Sequence, residues 1–524
     1  MLWTDKAKKI LLKYWNFDKL KDKQISVINE ILSGNDVIGL LPTGYGKSIC
    51  YILPPLITKK TIFIISPLIS LMDDQKDKLV KMGINVSALH CNNNNKEYEI
   101  KQILDGTIKI VYMSPEFIID GYGLKLAKSL NDKNQLGYLA VDESHCLSSW
   151  GHDFRPQYLK LKEFRNLFPL IPIMAVTATA KEVVVKEIIK FLQLNKPQII
   201  RANFDRPNLC IECKNIPKVL IKKKEKQKPY HELIIEYIDK YKEDRIIVYV
   251  NSRKETEDVS EKINEYFNKE ISSSYHAGLG KKNRDAVQNN FISKECKVII
   301  STIAFGMGID QIVKCVLIIG CPSSIEEYYQ QIGRGGRDGL PCETIFYYDL
   351  SKKIIRSIMI KKEQEQNSQT IKDKEQNSQI KLDNLKKIDA NSKIKLDNLK
   401  RIDEYFYTKR CRRQYILDYL GLSTNYFAYN GFTCNNCDNC NNYNLIDITL
   451  YIWSGKVNKK IGNIIYLFNL TKILIDWKEY VKFKKYTPET LPENMKIKLR
   501  LDNDVLSEYD ILYDKFDSVL DKII

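Results

Sequence analysis

The strongest constraint on this chain is a series of short runs, apolar at nearly every position, with helix-length stretches between them. Val37-Ile38-Gly39-Leu40-Leu41, Thr61-Ile62-Phe63-Ile64-Ile65, Ile108-Lys109-Ile110-Val111-Tyr112, Leu139-Ala140-Val141 and Ile173-Met174-Ala175-Val176 are such runs. A strand with one wet face alternates apolar and polar residues. A strand apolar throughout must be covered on both faces, which is the condition of a parallel sheet with helices on each side. Residues 1–205 therefore read as a doubly wound α/β lobe. Ile246-Ile247-Val248-Tyr249-Val250, Val298-Ile299-Ile300 and Val316-Leu317-Ile318-Ile319 repeat the style, so 206–350 reads as a second α/β lobe. The basic run Lys222-Lys223-Lys224-Glu225-Lys226-Gln227-Lys228 reads as a solvated loop.

A chain of 524 residues has room for three or four domains, and a 44% hydrophobic content can bury their cores. No apolar run approaches the ~20 residues of a bilayer span, and the N-terminus lacks the apolar core of a secretion signal. The expectation is an intracellular, non-secreted protein with no membrane partner, found in nucleus or cytoplasm wherever its substrate is. Thirteen cysteines, an odd number, argue for reduced thiols. With 82 basic against 65 acidic residues the net charge is +17, which suits a polyanion partner. A Lys-, Ile- and Asn-rich composition produces the same excess, so charge alone identifies no partner.

Residues 351–400 are of low complexity. Glu365-Gln366-Asn367-Ser368-Gln369 recurs at 375–379, and Ile380-Lys381-Leu382-Asp383-Asn384-Leu385-Lys386 recurs from Ile394 to Lys400. The second repeat is spaced close to a whole number of helical turns, which keeps Leu382, Leu385, Leu396 and Leu399 on one face. A long charged helix or helical hairpin extended by duplication is expected. Residues 443–524 carry 13 basic and 12 acidic residues, look mostly helical and contain no motif.

Leu41-Pro42-Thr43-Gly44-Tyr45-Gly46-Lys47-Ser48 follows a strand and precedes a helical stretch. Glycines let backbone N–H groups approach phosphate oxygens, Lys47 can reach the β/γ-phosphates, and the Ser48 hydroxyl can ligate Mg2+. Leu41 stands where the usual motif has its first glycine. Asp142-Glu143-Ser144-His145 ends another apolar strand. Asp142 suits the metal's coordination sphere and Glu143 the polarising of the attacking water. In the second lobe, Gln330-Gln331-Ile332-Gly333-Arg334-Gly335-Gly336-Arg337 sets two arginines on a small-residue backbone. Guanidinium groups match the charge of a transferring phosphoryl group, so Arg334 and Arg337 are catalytic candidates whose use requires lobe closure.

Taken together with Ser66-Pro67-Leu68-Ile69-Ser70-Leu71-Met72, Met174-Ala175-Val176-Thr177-Ala178-Thr179-Ala180, Phe204-Asp205-Arg206-Pro207-Asn208-Leu209, Tyr275-His276-Ala277-Gly278-Leu279 and Ala304-Phe305-Gly306-Met307-Gly308-Ile309-Asp310, the chain resembles the RecQ family of superfamily-two DNA helicases. The resemblance runs from Phe17 to Cys440. It implies two RecA-like lobes and ATP- and Mg2+-dependent unwinding of duplex DNA, with 3′-to-5′ translocation on single-stranded DNA. The family's adenine-reading segment resembles Phe17 to Gln24: Phe17 would stack on adenine and Gln24 would bond its edge. Leu20-Lys21 stands for the family's Phe-Arg, so Lys21 lacks the planar fork. Thr43, Gly44, Tyr45, Gly46 and Gln330 complete the nucleotide-contacting set. Ser66, Ser70, Asn251, Ser252 and His276 fall in the family's strand-contact motifs, and each could equally cap a loop or helix.

Cys146-Leu147-Ser148-Ser149-Trp150-Gly151-His152-Asp153-Phe154-Arg155-Pro156 follows the acidic motif directly. Trp150, His152, Phe154 and Arg155 can stack bases and contact phosphates, and the stretch resembles the aromatic-rich loop that couples DNA binding to hydrolysis in the family. Cys411 and the run Cys434-x-x-Cys437-x-x-Cys440 offer four thiolates, the ligand set of structural Zn2+; partial iron–sulfur ligation is the alternative. The contexts of these cysteines resemble the RecQ zinc-binding subdomain.

The expected architecture is thus two RecA-like doubly wound parallel-sheet lobes (1–205 and 206–350), a charged helical insertion (351–400), a helical zinc-binding module (401–442) and a mostly helical segment (443–524) that could be a degenerate winged helix. The expected function is ATP-dependent 3′–5′ unwinding of single-strand-tailed and forked DNA, in repair, recombination or replication. The alternatives are a DNA-stimulated ATPase or translocase without efficient strand separation, an RNA helicase, and a non-catalytic DNA-binding scaffold.

Overall fold

The computed structural model describes residues 3–119, 122–148, 155–178, 181–221, 224–305, 311–374, 378–421 and 434–441. The expected segment 443–524 lies outside them. Compactness divides the described chain into two units. One comprises 3–209, 214–402 and 419–421; the other comprises 210–213, 403–418 and 434–441.

The first unit holds a seven-stranded sheet made from β1 (Val37–Leu40), β2 (Thr61–Ile65), β3 (Val86–Leu89), β4 (Ile110–Met113), β5 (Leu136–Val141), β6 (Ile173–Thr177) and β7 (Gln198–Arg201). The order is β3-β4-β2-β5-β6-β1-β7. Every pairing is parallel, as in Val37 opposite Met174 on one side and Gln198 on the other. The central runs are buried on both faces because helices cover both. Ile28, Leu53, Met72, Ile62 and Ile64 pack into one core beneath the sheet.

After β8 (Leu209–Asn215), β9 (Lys218–Ile221) and β10 (Lys224–Gln227), the chain builds β11 (Ile246–Tyr249), β12 (Ser272–Tyr275), β13 (Val298–Ser301), β14 (Cys315–Gly320) and β15 (Cys342–Tyr348). The second large sheet has the order β12-β13-β11-β14-β15-β8, and the pairings from β12 to β15 are parallel. Its core gathers Leu233, Ile263, Val248, Ile300 and Leu317. The α/β reading of both lobes is therefore what the structure contains. The strands without a continuous apolar signature include β3, β7, β8 and β12, and all four lie at sheet edges. β7, β8 and β12 are incompletely covered, so their residues need not be apolar throughout, whereas β3 is buried at all four positions and includes Ser87. β12 is Ser-Ser-Ser-Tyr.

The basic run in the connecting region differs from the solvated-loop reading. β9 and β10 form an antiparallel hairpin that pairs Ile221 with Lys224 and Lys218 with Gln227. The β-prone Val219-Leu220-Ile221 precedes the lysines and supplies the strand propensity that a charge count overlooks.

The low-complexity stretch is a helical hairpin, helices Leu350–Lys374 and Ser378–Tyr407. Glu363 pairs with Lys395 at 2.9 Å, and Gln364 donates to Asp389 at 2.7 Å. Leu399 is buried. Among the described residues no helix is long and apolar enough to cross a membrane.

Candidate functional site: a nucleotide cleft and a cysteine cluster

β1, β6 and β5 are neighbours in the sheet, so their carboxyl ends open side by side. In an open α/β sheet that is where ligands collect. The end of β1 carries 41–48, the end of β5 carries Asp142 and Glu143, and the end of β6 is Thr177. Gly44 and Gly46 have φ of +79° and +88°, left-handed values that let the loop turn its N–H groups inward before the helix Lys47–Thr58. Gln24 holds the loop from outside: its Nε2 donates to Tyr45 O at 2.9 Å and to Gly46 O at 3.1 Å, while its Oε1 accepts from Lys21 N at 2.8 Å. Gln24 is thus buried and bonded to the loop. Lys21 lies with its ammonium 4.6 Å from the centre of the Tyr45 ring. Phe17 is 48% exposed, an apolar ring open to a stacking partner.

Lys47 Nζ meets Glu143 Oε1 at 3.1 Å. The other oxygen of Glu143 lies 3.3 Å from His145 Nδ1, which also contacts Thr177 Oγ1 at 2.8 Å. Burial pushes the Glu143 carboxyl up, but Lys47 and His145 outweigh it and hold the group well below the usual carboxylate range. Asp142 goes the other way: burial and the neighbouring Glu143 push it up to about 6, against the pull of Lys47. Paired carboxylates with divergent proton affinities are a mark of functional sites. Glu143 also has φ of +46°, a strained value for a side chain other than glycine. Asp142 is fixed by Tyr51, whose hydroxyl donates to its Oδ2 at 3.2 Å, and by the Glu143 N–H at 2.9 Å. Tyr51 and His145 were not among the expected site residues. The signal for both is position, one on the first turns of the phosphate helix and one beside the acidic pair.

The arginine motif comes from the other sheet, after the helix Ile325–Ile332. A Cβ placed on Gly44 would meet Arg337 Cγ at 3.7 Å, and one on Gly333 would meet Thr43 Cβ at 3.5 Å. The two motifs abut. Burial and the adjacent Arg337 bring Arg334 down to about 10, against the pull of Tyr249 and Glu143. Gln330 is half-buried on the preceding helix. Another contact joins the same two sheets. Lys181, just before the helix Glu182–Leu192, pairs with Glu326 at 3.2 Å, and Tyr419 donates to Glu326 at 2.8 Å.

Of the nucleic-acid candidates, Trp150, His152 and Phe154 lie outside the described residues. Arg155 donates from Nη1 to Pro67 O at 2.5 Å, which ties the aromatic-rich stretch to the Ser66–Met72 motif. Ser70 is exposed, and the Ser66 hydroxyl is buried with no hydrogen-bond partner among the described residues. The remaining three are occupied locally. Asn251 brackets Cys321 through Nδ2 to O at 2.8 Å and N to Oδ1 at 2.9 Å. Ser252 caps the helix Arg253–Phe267 in a reciprocal box with Glu255. His276 accepts from Gly278 N and faces Glu257 at 3.1 Å.

In the second unit, the sulfur atoms of Cys411, Cys434, Cys437 and Cys440 all lie within 4.8 Å of one another, with Cys434 and Cys440 3.7 Å apart. A tetrahedron with metal–sulfur bonds of about 2.3 Å has edges of about 3.8 Å, so the donor set fits Zn2+. Backbone and side chains lock the cluster. Arg412 forks onto Asp438 at 2.9 and 3.1 Å, Cys213 N donates to Asp438 Oδ2 at 3.0 Å, and Asn439 donates to Thr408 O and Arg410 O at 2.9 and 2.7 Å.

Three family descriptions match this chain: DEAD/DEAH box helicase over residues 21–188, helicase conserved C-terminal domain over 229–339, and RecQ zinc-binding over 357–441. The putative ATP-dependent RNA helicase R290 of Acanthamoeba polyphaga mimivirus is 37% identical over 70% of this chain and 64% of its own length. The ATP-dependent DNA helicase RecQ of Pasteurella multocida is 38% identical over 65% of this chain and 52% of its own. The chain therefore spans between half and two thirds of these relatives. Among solved structures, the helicase MrfA bound to DNA shares the fold with a TM-score of 0.53 at 18% identity, covering 66% of this chain and 51% of that one. The successive helicase and RecQ zinc-binding matches, together with relatives near this level of identity, carry one conclusion: the chain has two helicase modules followed by a RecQ zinc-binding module, and is similar in this to the RecQ helicases.

Proposed function

We propose that this protein is an ATP-dependent DNA helicase that couples hydrolysis to 3′–5′ movement on single-stranded DNA and separates duplex DNA at tails and forks. The observation that carries the reading is the meeting of Arg337 and Gly44, with Lys47 and Glu143 paired behind them. Phosphate-binding, acidic and arginine motifs from two sheets converge on one cleft, as phosphoryl transfer requires.

Lys47 leaves Glu143 for the β/γ-phosphates when nucleotide enters, and Glu143 is then released to orient the attacking water. Ser48, in the first turn of the helix after β1, and Asp142, after β5, are hard oxygen donors that would hold Mg2+. When bound, that ion neutralises phosphate charge. Arg334 and Arg337 face the charge that develops on the transferring group. Phe17, Lys21 and Gln24 flank the loop where the base would lie. Trp150, His152, Phe154 and Arg155, with Ser66, Ser70, Asn251, Ser252 and His276, are the proposed strand contacts; the last three also hold bonds within the second lobe. Cys411, Cys434, Cys437 and Cys440 would hold a structural Zn2+, whose role would be to stabilise the fold.

A second reading, RNA unwinding, is favoured by the mimivirus relative, a putative RNA helicase. One assay separates the two. Strand displacement is measured with ATP on 3′-tailed, 5′-tailed and forked DNA, beside a 3′-tailed RNA duplex. Unwinding of the 3′-tailed and forked DNA is expected. Preference for the RNA duplex would favour the second reading, and hydrolysis without displacement would leave a translocase.

A further inference from the structure

Arginines that meet a developing charge must be held to a fraction of an ångström, yet Arg334 and Arg337 stand on Gly333, Gly335 and Gly336. Glycine backbone is costly to order. Backbone bonds turn the motif, with Arg334 N donating to Gln331 O at 3.2 Å, Gly335 N to Ile332 O at 3.1 Å and Gly336 N to Val313 O at 3.0 Å, but they leave the carbonyls of Gly335 and Gly336 to partners from elsewhere. A further restraint comes from the segment between β7 and β8 that joins the two sheets. Arg206 donates from Nη2 to Gly335 O at 2.9 Å and to Gly336 O at 2.7 Å. Asn208 donates from Nδ2 to the same Gly336 O at 2.8 Å and to Leu340 O at 2.9 Å, and Arg206 Nε reaches Asn208 Oδ1 at 3.4 Å. The loop is clasped at consecutive carbonyls and again on its far side.

Packing agrees with the bonding. Gly336 has φ of +55°, and a Cβ there would lie 2.4 Å from Asn208 Nδ2; a Cβ on Gly335 would lie 2.3 Å from Cys342 Sγ. The glycines are what let the clasp close. Arg206 also faces the phosphate loop, its Nη1 3.9 Å from a Cβ placed on Gly44. Upstream, Phe204 O accepts from Tyr329 OH at 2.7 Å, so the same segment is bonded to the helix that leads into the arginine motif.

We propose that Arg206, assisted by Asn208, is a positioning residue that holds the Arg334–Arg337 loop against the phosphate loop and makes the connecting segment and the arginine loop one body. A change of lobe geometry at the nucleotide then passes along the connecting segment itself. Both carbonyls are reached from the one nitrogen Nη2 while Nε reaches Asn208, so a lysine ammonium could copy the charge-assisted pair but not the added contact to Asn208. The inference rests on the hydrolytic reading above.

The test compares wild type, Arg206→Ala, Arg206→Lys, Asn208→Ala, Arg337→Ala and the Arg206→Ala/Arg337→Ala double variant. It measures single-turnover ATP hydrolysis with single-stranded DNA, affinity for mant-ATP and the thermal midpoint. Misplacing a reacting group by about 1 Å costs on the order of a hundredfold, so Arg206→Ala should lose about that factor in kcat while mant-ATP affinity stays within about threefold. Arg206→Lys should recover part of the loss and Asn208→Ala should lose less. The double variant should be scarcely worse than Arg337→Ala alone, because a positioning residue has nothing left to position. Unchanged kcat in Arg206→Ala, additive losses in the double variant, or a loss matched by weakened mant-ATP binding or unfolding would each overturn the inference. A wild-type chain that fails to hydrolyse ATP would overturn the functional reading first, and this inference with it.

Discussion

In the nucleotide cleft, opposite charges are already paired: Lys47 rests on Glu143, and Glu143 on His145. In the cysteine cluster, four like groups converge with Cys434 and Cys440 only 3.7 Å apart, and only a cation closes the arrangement. The cleft draws on segments as distant as Thr43 and Arg337, whereas three of the four cysteines sit within Cys434–Cys440. The contrast separates two uses of a binding site. A cleft whose groups exchange partners when ligand arrives can pass through a cycle; a closed set of identical ligands can only stabilise. Removing a group from the cleft should therefore cost chemistry, and removing one from the cluster should cost folding.

The sharpest break is at the cleft. Lys47→Ala should abolish mant-ATP binding, and Glu143→Gln should retain it while lowering hydrolysis by on the order of a thousandfold. Wild-type hydrolysis in either variant would dissolve the contrast. On the other side, Cys437→Ser should lower zinc content measured by elemental analysis and destabilise the protein by on the order of 3–5 kcal/mol. The expected order of effects is stability first and hydrolysis only as folded protein is lost. Zinc content near zero in wild-type protein purified without chelator would remove the cluster from the comparison.

Two smaller effects sharpen it. Arg155→Ala removes the donor to Pro67 O that ties the aromatic-rich stretch to the 66–72 motif. The ratio of hydrolysis with and without single-stranded DNA should fall about tenfold, the worth of one charge-assisted bond; an unaltered ratio would make Arg155 a packing residue. Tyr51→Phe removes one hydrogen bond to Asp142, worth about 1 kcal/mol. The Mg2+ concentration for half-maximal hydrolysis should rise about fivefold, while the thermal midpoint without nucleotide changes little. An unchanged Mg2+ requirement would show that Asp142 is oriented by its neighbours in the backbone alone.

The sequence by itself determined the sheets and the chemistry that acts through local pattern. Runs such as 62–65 and 298–300 are apolar because helices cover both faces, and that condition is written into most residues of a central strand. The phosphate loop, the acidic pair and the cysteine spacing were legible for the same reason: each needs particular residue types at fixed short intervals. Edge strands such as Ser272–Tyr275 carry no such requirement, and the hairpin at 218–227 was hidden under its lysines. Tertiary structure alone decided which of the polar residues were partners. Gln24 became the clamp of the phosphate loop, Asn251 the bracket of Cys321, and Arg206 the clasp of a glycine loop far along the chain. A hydrogen bond between distant segments depends on where two backbones are carried by the packing of everything between them, and no local spacing records that.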